Sequence, residues 1–288
     1  MDAVEVTLPT GVRIGDHWAR HAWLRPVTGR EEEFLLFEGR HLSAAARTTQ
    51  LLTRCLLRVG PTEPVTADLV RRMTAGDREA LLLHIRCLTL GGHISCLLSC
   101  VHCKQKMDLD LEIAELLLAP YPHQQEVHET AVEGGYRIRF RIPNGEDQEF
   151  IAGAQEESVD STAEALLARC IEQVLSPDGA GAGSSSATLS AAVLDQLSVK
   201  IAALDPQAEI LLDLACPECG AQFMVPFDTG DFFFRELAGQ ERQFYRELHV
   251  ISLHYHWSEE AALSLSRRKR QTYFELLADE RARGGRQA

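Results

Sequence analysis

The chain has 288 residues, 45% of them hydrophobic, enough for one large domain or two of ordinary size with real cores, so disorder is not the default reading. Its 29 Lys and Arg against 42 Asp and Glu give a net charge of −13. Such a surface repels a phosphate backbone unless basic residues are segregated on one face, so nucleic acid is not an expected partner. The opening Met1-Asp2-Ala3-Val4-Glu5 lacks a basic, apolar leader pattern, and no run approaches the ~20 apolar residues of a membrane span, so the expectation is a soluble, cytoplasmic protein.

Leu24-Arg25-Pro26-Val27-Thr28-Gly29-Arg30-Glu31-Glu32-Glu33-Phe34-Leu35 reads as strand, turn, strand. Leu51, Leu52, Cys55, Leu56 and Val59 then fall at helical spacing, and the reading of Cys55 is a small buried hydrophobe. Residues 65–73 also have a helical pattern. Cys87 and Cys96 are assigned to the core, and Cys100-Val101-His102-Cys103 follows as the first Cys-x-x-Cys pair.

Further on, Tyr136, Ile138, Phe140 and Ile142 alternate with Arg137, Arg139 and Arg141, which predicts a strand with its guanidinium groups toward water. Asn144-Gly145 predicts a tight hairpin turn. Ala163, Leu166, Leu167, Cys170, Ile171 and Val174 repeat the helical stripe, and the Gly/Ser-rich stretch at about 176–188 reads as a flexible loop. A helix is predicted over 189–204, a break at Asp205-Pro206, and strands on either side of Cys216-Pro217-Glu218-Cys219-Gly220.

These features recur in one order. The cysteine pairs are offset by 116 residues, Cys100 to Cys216, and so are the segments that begin at Leu24 and Phe140. The stripes that begin at Leu51 and Leu166 are offset by 115. The pattern predicts an internal duplication.

Cys-x-x-Cys allows two thiolates of one turn to reach one ion, and zinc prefers four such ligands in a tetrahedron. The reading favoured is one structural zinc held by Cys100, Cys103, Cys216 and Cys219. The 112 residues between Cys103 and Cys216 exceed ordinary zinc-ribbon spacing, but knuckles related by a pseudo-twofold axis can meet there. Closing that loop costs roughly 4 kcal/mol against apparent zinc-binding free energies on the order of 10 to 16 kcal/mol. The alternatives are two separate sites completed by His102 or Cys96, a dithiol redox pair, and knuckles that hold no metal. Four thiolates leave no open position for water or substrate, which argues against a catalytic ion.

Beyond residue 240 the pattern is helical, with Phe244, Leu248, Ile251 and Tyr255 on one face. Ser258 is placed as the N-cap of a short helix with an acidic first turn, and Arg267, Arg268, Lys269 and Arg270 open a last helix as a solvated face or a docking patch for an acidic protein. His249, His254 and His256 are read as exposed or core residues rather than ligands. No phosphate loop, Gly-x-Ser-x-Gly, His-Glu-x-x-His or catalytic carboxylate pair is present, so neither enzymatic activity nor a small-molecule substrate is expected.

The run Glu247-Leu248-His249-Val250-Ile251-Ser252-Leu253-His254-Tyr255-His256-Trp257-Ser258-Glu259-Glu260, with Leu263-Ser264-Leu265 and the basic cluster, resembles a segment of contractile phage tail and bacterial injection-system proteins. Together with Cys216-Pro217-Glu218-Cys219-Gly220 and Leu8-Pro9-Thr10-Gly11, it makes the chain similar to the baseplate-hub assembly chaperone family of contractile-tailed phages. The resemblance implies a non-enzymatic assembly role, with other baseplate or hub proteins as partners and incorporation into a tail-like particle. A zinc-ribbon regulatory or nucleic-acid-binding protein is the alternative. The fold expected is α+β: two pseudo-repeats of β-hairpin, helices and zinc knuckle over residues 1–120 and 121–230, joined at the four-cysteine zinc site, then a helical segment over 231–288.

Overall fold

The computed structural model describes residues 3–122, 125–153, 159–175, 181–182 and 189–284, a mixed α and β chain. It opens with an antiparallel hairpin, β1 (Val4–Ile14) and β2 (His17–Leu24). The two-residue turn between them is made by Gly15, at φ 60°, and Asp16. Two helices follow, α1 (Gly29–Leu36) and α2 (Ala44–Cys55), and β3 (Leu56–Val59) returns to pair with β2, giving the sheet order β1-β2-β3.

Next come α3 (Ala67–Arg72), α4 (Ala75–Leu90), the hairpin β4 (His93–Ser99) and β5 (Lys106–Glu112), and α5 (Ile113–Leu116). The chain then passes through β6 (His128–Ala131), β7 (Arg137–Phe140), α6 (Gly145–Gly153), α7 (Val159–Cys170), β8 (Ile171–Leu175) and β9 (Gly181–Ala182), with sheet order β6-β7-β8-β9. After α8 (Ala191–Leu204) it forms a second isolated hairpin, β10 (Ile210–Ala215) and β11 (Gln222–Phe227). The chain ends in α9 (Thr229–Ala238), α10 (Glu241–Tyr255), α11 (Glu259–Leu263) and α12 (Arg267–Gly284).

Two sequence expectations are corrected. The hairpins expected within Leu24–Leu35 and Phe140–Ile151 lie one strand earlier, at β1–β2 and β6–β7. At the expected positions the chain passes from strand into helix, because Thr28 and Asn144 occupy helix-start positions with an acid three residues on. The backbone N–H of Thr28 donates to Glu31 Oε2 at 2.9 Å, and that of Asn144 donates to Asp147 Oδ2 at 3.0 Å. Asn144 Oδ1 also accepts from the N–H groups of Glu146 and Asp147, which turns it from a hairpin residue into a cap.

The second correction concerns the apolar stripes. The helices stop at Cys55 and Cys170, while Leu56, Val59, Ile171 and Val174 belong to strands β3 and β8. Of the loop expected near 176–188, residues 181–182 form β9, and the remainder lies outside the described residues.

The three-stranded and the four-stranded sheet each carry a core of their own. Leu8, Leu51, Cys55, Val59, Leu81 and Ile85 are buried around the first, and Phe233, Phe234 and Leu237 of α9 join them. Ile138, Phe140, Leu167, Cys170, Val174 and Leu197 are buried around the second. Each such side chain withdrawn from water stabilises by roughly 1.5–3 kcal/mol, so neither layer depends on a single contact.

Buried polar contacts tie the segment that leads into β10 to α4 and to the segment that follows β5. The N–H of Gly76 donates to Asp205 Oδ2 at 2.9 Å, and a Cβ at Gly76 would lie 2.0 Å from Asp205 Oδ1, so only glycine admits this approach. Tyr121 Oη donates to Asp205 Oδ1 at 3.1 Å and accepts from Gln207 N at 2.9 Å. Gln207, fully buried, accepts from Leu118 N and donates to Leu116 O. A small apolar cluster completes the junction: Leu83, Ile94 and Ile113 are buried, with Ile210, Phe227 and Phe232 packed on them.

Candidate metal centre

The two isolated hairpins are built alike. In β4–β5 Ser99 pairs with Lys106, and in β10–β11 Ala215 pairs with Gln222, so each strand pair closes immediately outside a Cys-x-x-Cys turn. Cys100 N donates to Gln105 O and Cys216 N donates to Ala221 O, both at 2.9 Å. Lys104 N returns to Cys100 O at 3.0 Å and Gly220 N to Cys216 O at 2.9 Å. Such turns need a residue in the left-handed region after the second cysteine. Gly220 supplies it at φ 70°, and Lys104 is forced into it at φ 63°.

The four sulfur atoms of Cys100, Cys103, Cys216 and Cys219 all lie within 4.8 Å of one another. Cys100 Sγ is 3.8 Å from Cys219 Sγ, and Cys103 Sγ is 3.7 Å from Cys216 Sγ. A disulfide would need about 2.05 Å. A tetrahedron of thiolates around an ion at ~2.3 Å has edges of about 3.8 Å, the spacing of these two pairs. The donor set is therefore compatible with a metal ion.

The electrostatics favour a cation in the same place. N–H groups of Cys103 and His102 point at Cys100 and pull its thiol down to about 6. At Cys103 the N–H of Gln105 also pulls downward, but burial and the surrounding thiols of Cys100, Cys216 and Cys219 outweigh it and push the thiol up to about 12. Four sulfurs this close cannot all be ionised without a cation among them.

The other sequence candidates stand apart. His102 is exposed, with its ring edge-on to Phe223 at 6.2 Å, and Cys96 packs partly buried against the Leu83 cluster. Cys55 and Cys170 are fully buried, and burial pushes both thiols up to about 12, as befits inert core residues. His249, His254 and His256 are exposed.

The basic cluster of α12 is corrected in part: Arg268 and Lys269 are exposed, but Arg267 and Arg270 turn inward. Arg270, fully buried, lies 2.5 Å from Glu32 and 3.5 Å from Glu247, and Arg267 reaches Glu32 at 3.5 Å. Sequence reasoning missed Glu32 and Glu247 as their partners, since 238 positions separate Glu32 from Arg270. Lys104 was missed as well, although alignment of the two knuckles at an offset of 116 places it over Gly220.

The profile of a family described as T4 bacteriophage base plate protein matches residues 4–234, well over half of the chain. The chain belongs to that family. The match spans both sheets and both cysteine hairpins. Membership of the base plate family supports a structural role related to phage tails and points to association with other tail proteins. No curated protein and no solved structure matches the chain. Among the described residues no helix is long and apolar enough to cross a membrane.

Proposed function

We propose that this base plate family member is a non-enzymatic, zinc-stabilised assembly protein, a chaperone for the baseplate or hub of a phage tail-like contractile injection system. In this reading it forms in the cytoplasm, its partners are other baseplate or hub proteins, and it joins the tail-like particle. The chain is an internal duplication, one copy over residues 1–120 and one over 121–230, with a helical segment over 231–288.

The observation that carries the reading is the four-thiol cluster, which draws two sulfurs from each hairpin of a base plate family chain. Sulfur donors with tetrahedral spacing suit zinc, and a closed shell of four suits a structural ion. Support for the duplication comes from repeated detail. Arg25 N bonds Cys55 O at 3.1 Å and Arg141 N bonds Cys170 O at 2.9 Å. The Arg25 and Arg141 side chains each meet an acid six residues on.

The test is elemental analysis and a thermal melt of the purified chain beside Cys216→Ser. One zinc per chain, lost in the variant together with a large drop in melting temperature, is the expected result. No zinc, with both proteins melting alike, would remove the metal from the reading. The assembly role is tested separately in a producing strain that lacks the chain. Tails without complete baseplates are expected there by electron microscopy, and normal tails would overturn the role.

A further inference from the structure

An open cleft of about 570 Å³ lies between α4 and the second cysteine hairpin. Its walls are apolar: Leu82 of α4, Pro143, Ile151 of α6, Leu166 of α7, and Ile210 and Phe227 of the second hairpin. Ala44, Ala152, Ala208 and Pro226 line it and are exposed, so the cleft opens to solvent along its rim.

Among the described residues the acids around this apolar floor outnumber the cations three to one. Glu79, Glu209 and Asp228 line the cleft, and none of them forms an ion pair among the described residues. Among the described residues of the lining Arg78 is the one cation, and it is spent internally. It is fully buried, and it donates to Gln148 Oε1 at 2.7 Å, Thr49 Oγ1 at 3.0 Å and Ala45 O at 3.0 Å.

We propose that this cleft is a docking site for an extended or helical segment of another tail protein, one that presents apolar side chains flanked by Lys or Arg. The proposal rests on the assembly reading and names the chemistry of its partner. Apolar residues fill the floor, and the flanking cations meet the three carboxylates. Burial, helped by Asp228, pushes Glu79 up to about 7, so a cation seated beside it also ionises it. A small ligand is a poorer occupant, because such sites enclose most of their ligand and this one has an exposed rim. A second copy is poorer too, since each chain carries a charge of −13 and its Arg267 and Arg270 are committed to Glu32.

The test is selection of peptides from a random display library on the purified full chain, followed by titration of the best binders. Apolar sequences flanked by Lys or Arg are expected. Their affinity should fall on the order of tenfold or more in Ala152→Trp, which blocks the mouth from an exposed position. It should fall on the order of tenfold in Glu209→Lys, with the second effect shrinking at high salt. Thermal melts that match wild type show that both variants fold, and Glu209→Lys carries the test if Ala152→Trp does not. No binders, acidic or uncharged binders, or unchanged affinity for both variants would overturn the proposal. In the producing strain, normal tails with Ala152→Trp, where loss of the chain abolishes them, would sink the cleft and leave the assembly role standing. Normal tails without the chain would sink the assembly role itself.

Discussion

Arg25 and Glu31 are joined by two parallel hydrogen bonds, both 2.9 Å long, at the point where the first sheet gives way to its first helix. Arg141 and Asp147 make the same fork in the second, and in both the arginine also donates to a carbonyl beside the helix-ending cysteine, Arg54 O or Arg169 O. Each acid is almost completely buried; removal of Arg25 leaves Glu31 without a cation, whereas Asp147 keeps a second one in Arg169, 2.8 Å away. Arg25→Ala should cost about 3–5 kcal/mol near neutral pH, and Arg141→Ala less because Arg169 still faces Asp147, both measured by urea unfolding.

The same acids set the response to low pH. Burial pushes Glu31 and Asp147 upward, but the hydrogen bonds from Arg25 and Thr28, and from Arg141, Asn144 and Arg169, outweigh it and hold both below the ordinary range. A carboxylate with a depressed native pKa binds fewer protons folded than unfolded. Its stabilisation is present above the unfolded value of about 4 and is lost as pH falls through the native one. Urea midpoints of wild type should therefore drop more steeply below about pH 5 than those of Glu31→Gln/Asp147→Asn, although that variant is the weaker at neutral pH.

Glu79 has the opposite sign. Burial outweighs the Thr229 hydrogen bonds and lifts it to about 7, so the folded chain binds the proton more tightly than the unfolded one and stability drains away as pH rises from about 4 to 7. Glu79→Gln keeps an oxygen for the N–H of Thr229 and has no proton to lose. It should gain on wild type by on the order of 1–3 kcal/mol across that window, read from thermal melts at several pH values.

Arg270 is enclosed by Glu32, Glu247 and the ring of Phe244, 5.0 Å away. Arg270→Met would leave two buried acids facing one another and should cost about 3–5 kcal/mol, while Arg270→Met/Glu32→Met should recover at least half of it. Equal melting of the single and double variants would refute the pairing.

Lys104 and Gly220 hold one backbone conformation with unequal ease. Lys104→Gly removes a left-handed cost of roughly 1–2 kcal/mol and adds an unfolded-state entropy cost of roughly 0.5–1 kcal/mol, so it should be neutral or stabilising by up to about 1 kcal/mol. Gly220→Ala should lose about 1 kcal/mol. Chemical denaturation of the two variants side by side decides the sign.

The four cysteines were legible in the sequence because their spacing is local and their chemistry specific, and the recurrence at 116 residues paired the two turns. The strand at Ile138 and Phe140 and the cap at Ser258 were legible for the same reason: alternation and capping act over a few residues. Misreading Asn144-Gly145 as a hairpin turn came from weighing Gly145 above Asp147, since a cap with its acid and a tight turn share the same first residues. The switch from helix to strand at Cys55 and Cys170 is hidden, because the apolar positions of a buried strand continue a helical stripe without a gap. The inward turn of Arg270 depends on Glu32, 238 positions away, and on Glu247 in the preceding long helix, and no local pattern announces either.

The four-sulfur cluster has a consequence in time as well as in space. Two of its sulfurs leave the ribosome early and two late, so no ion can find four of them until Cys219 has emerged. Any metal held there certifies a chain made through to its second hairpin. A product truncated before residue 216 would offer only half a shell.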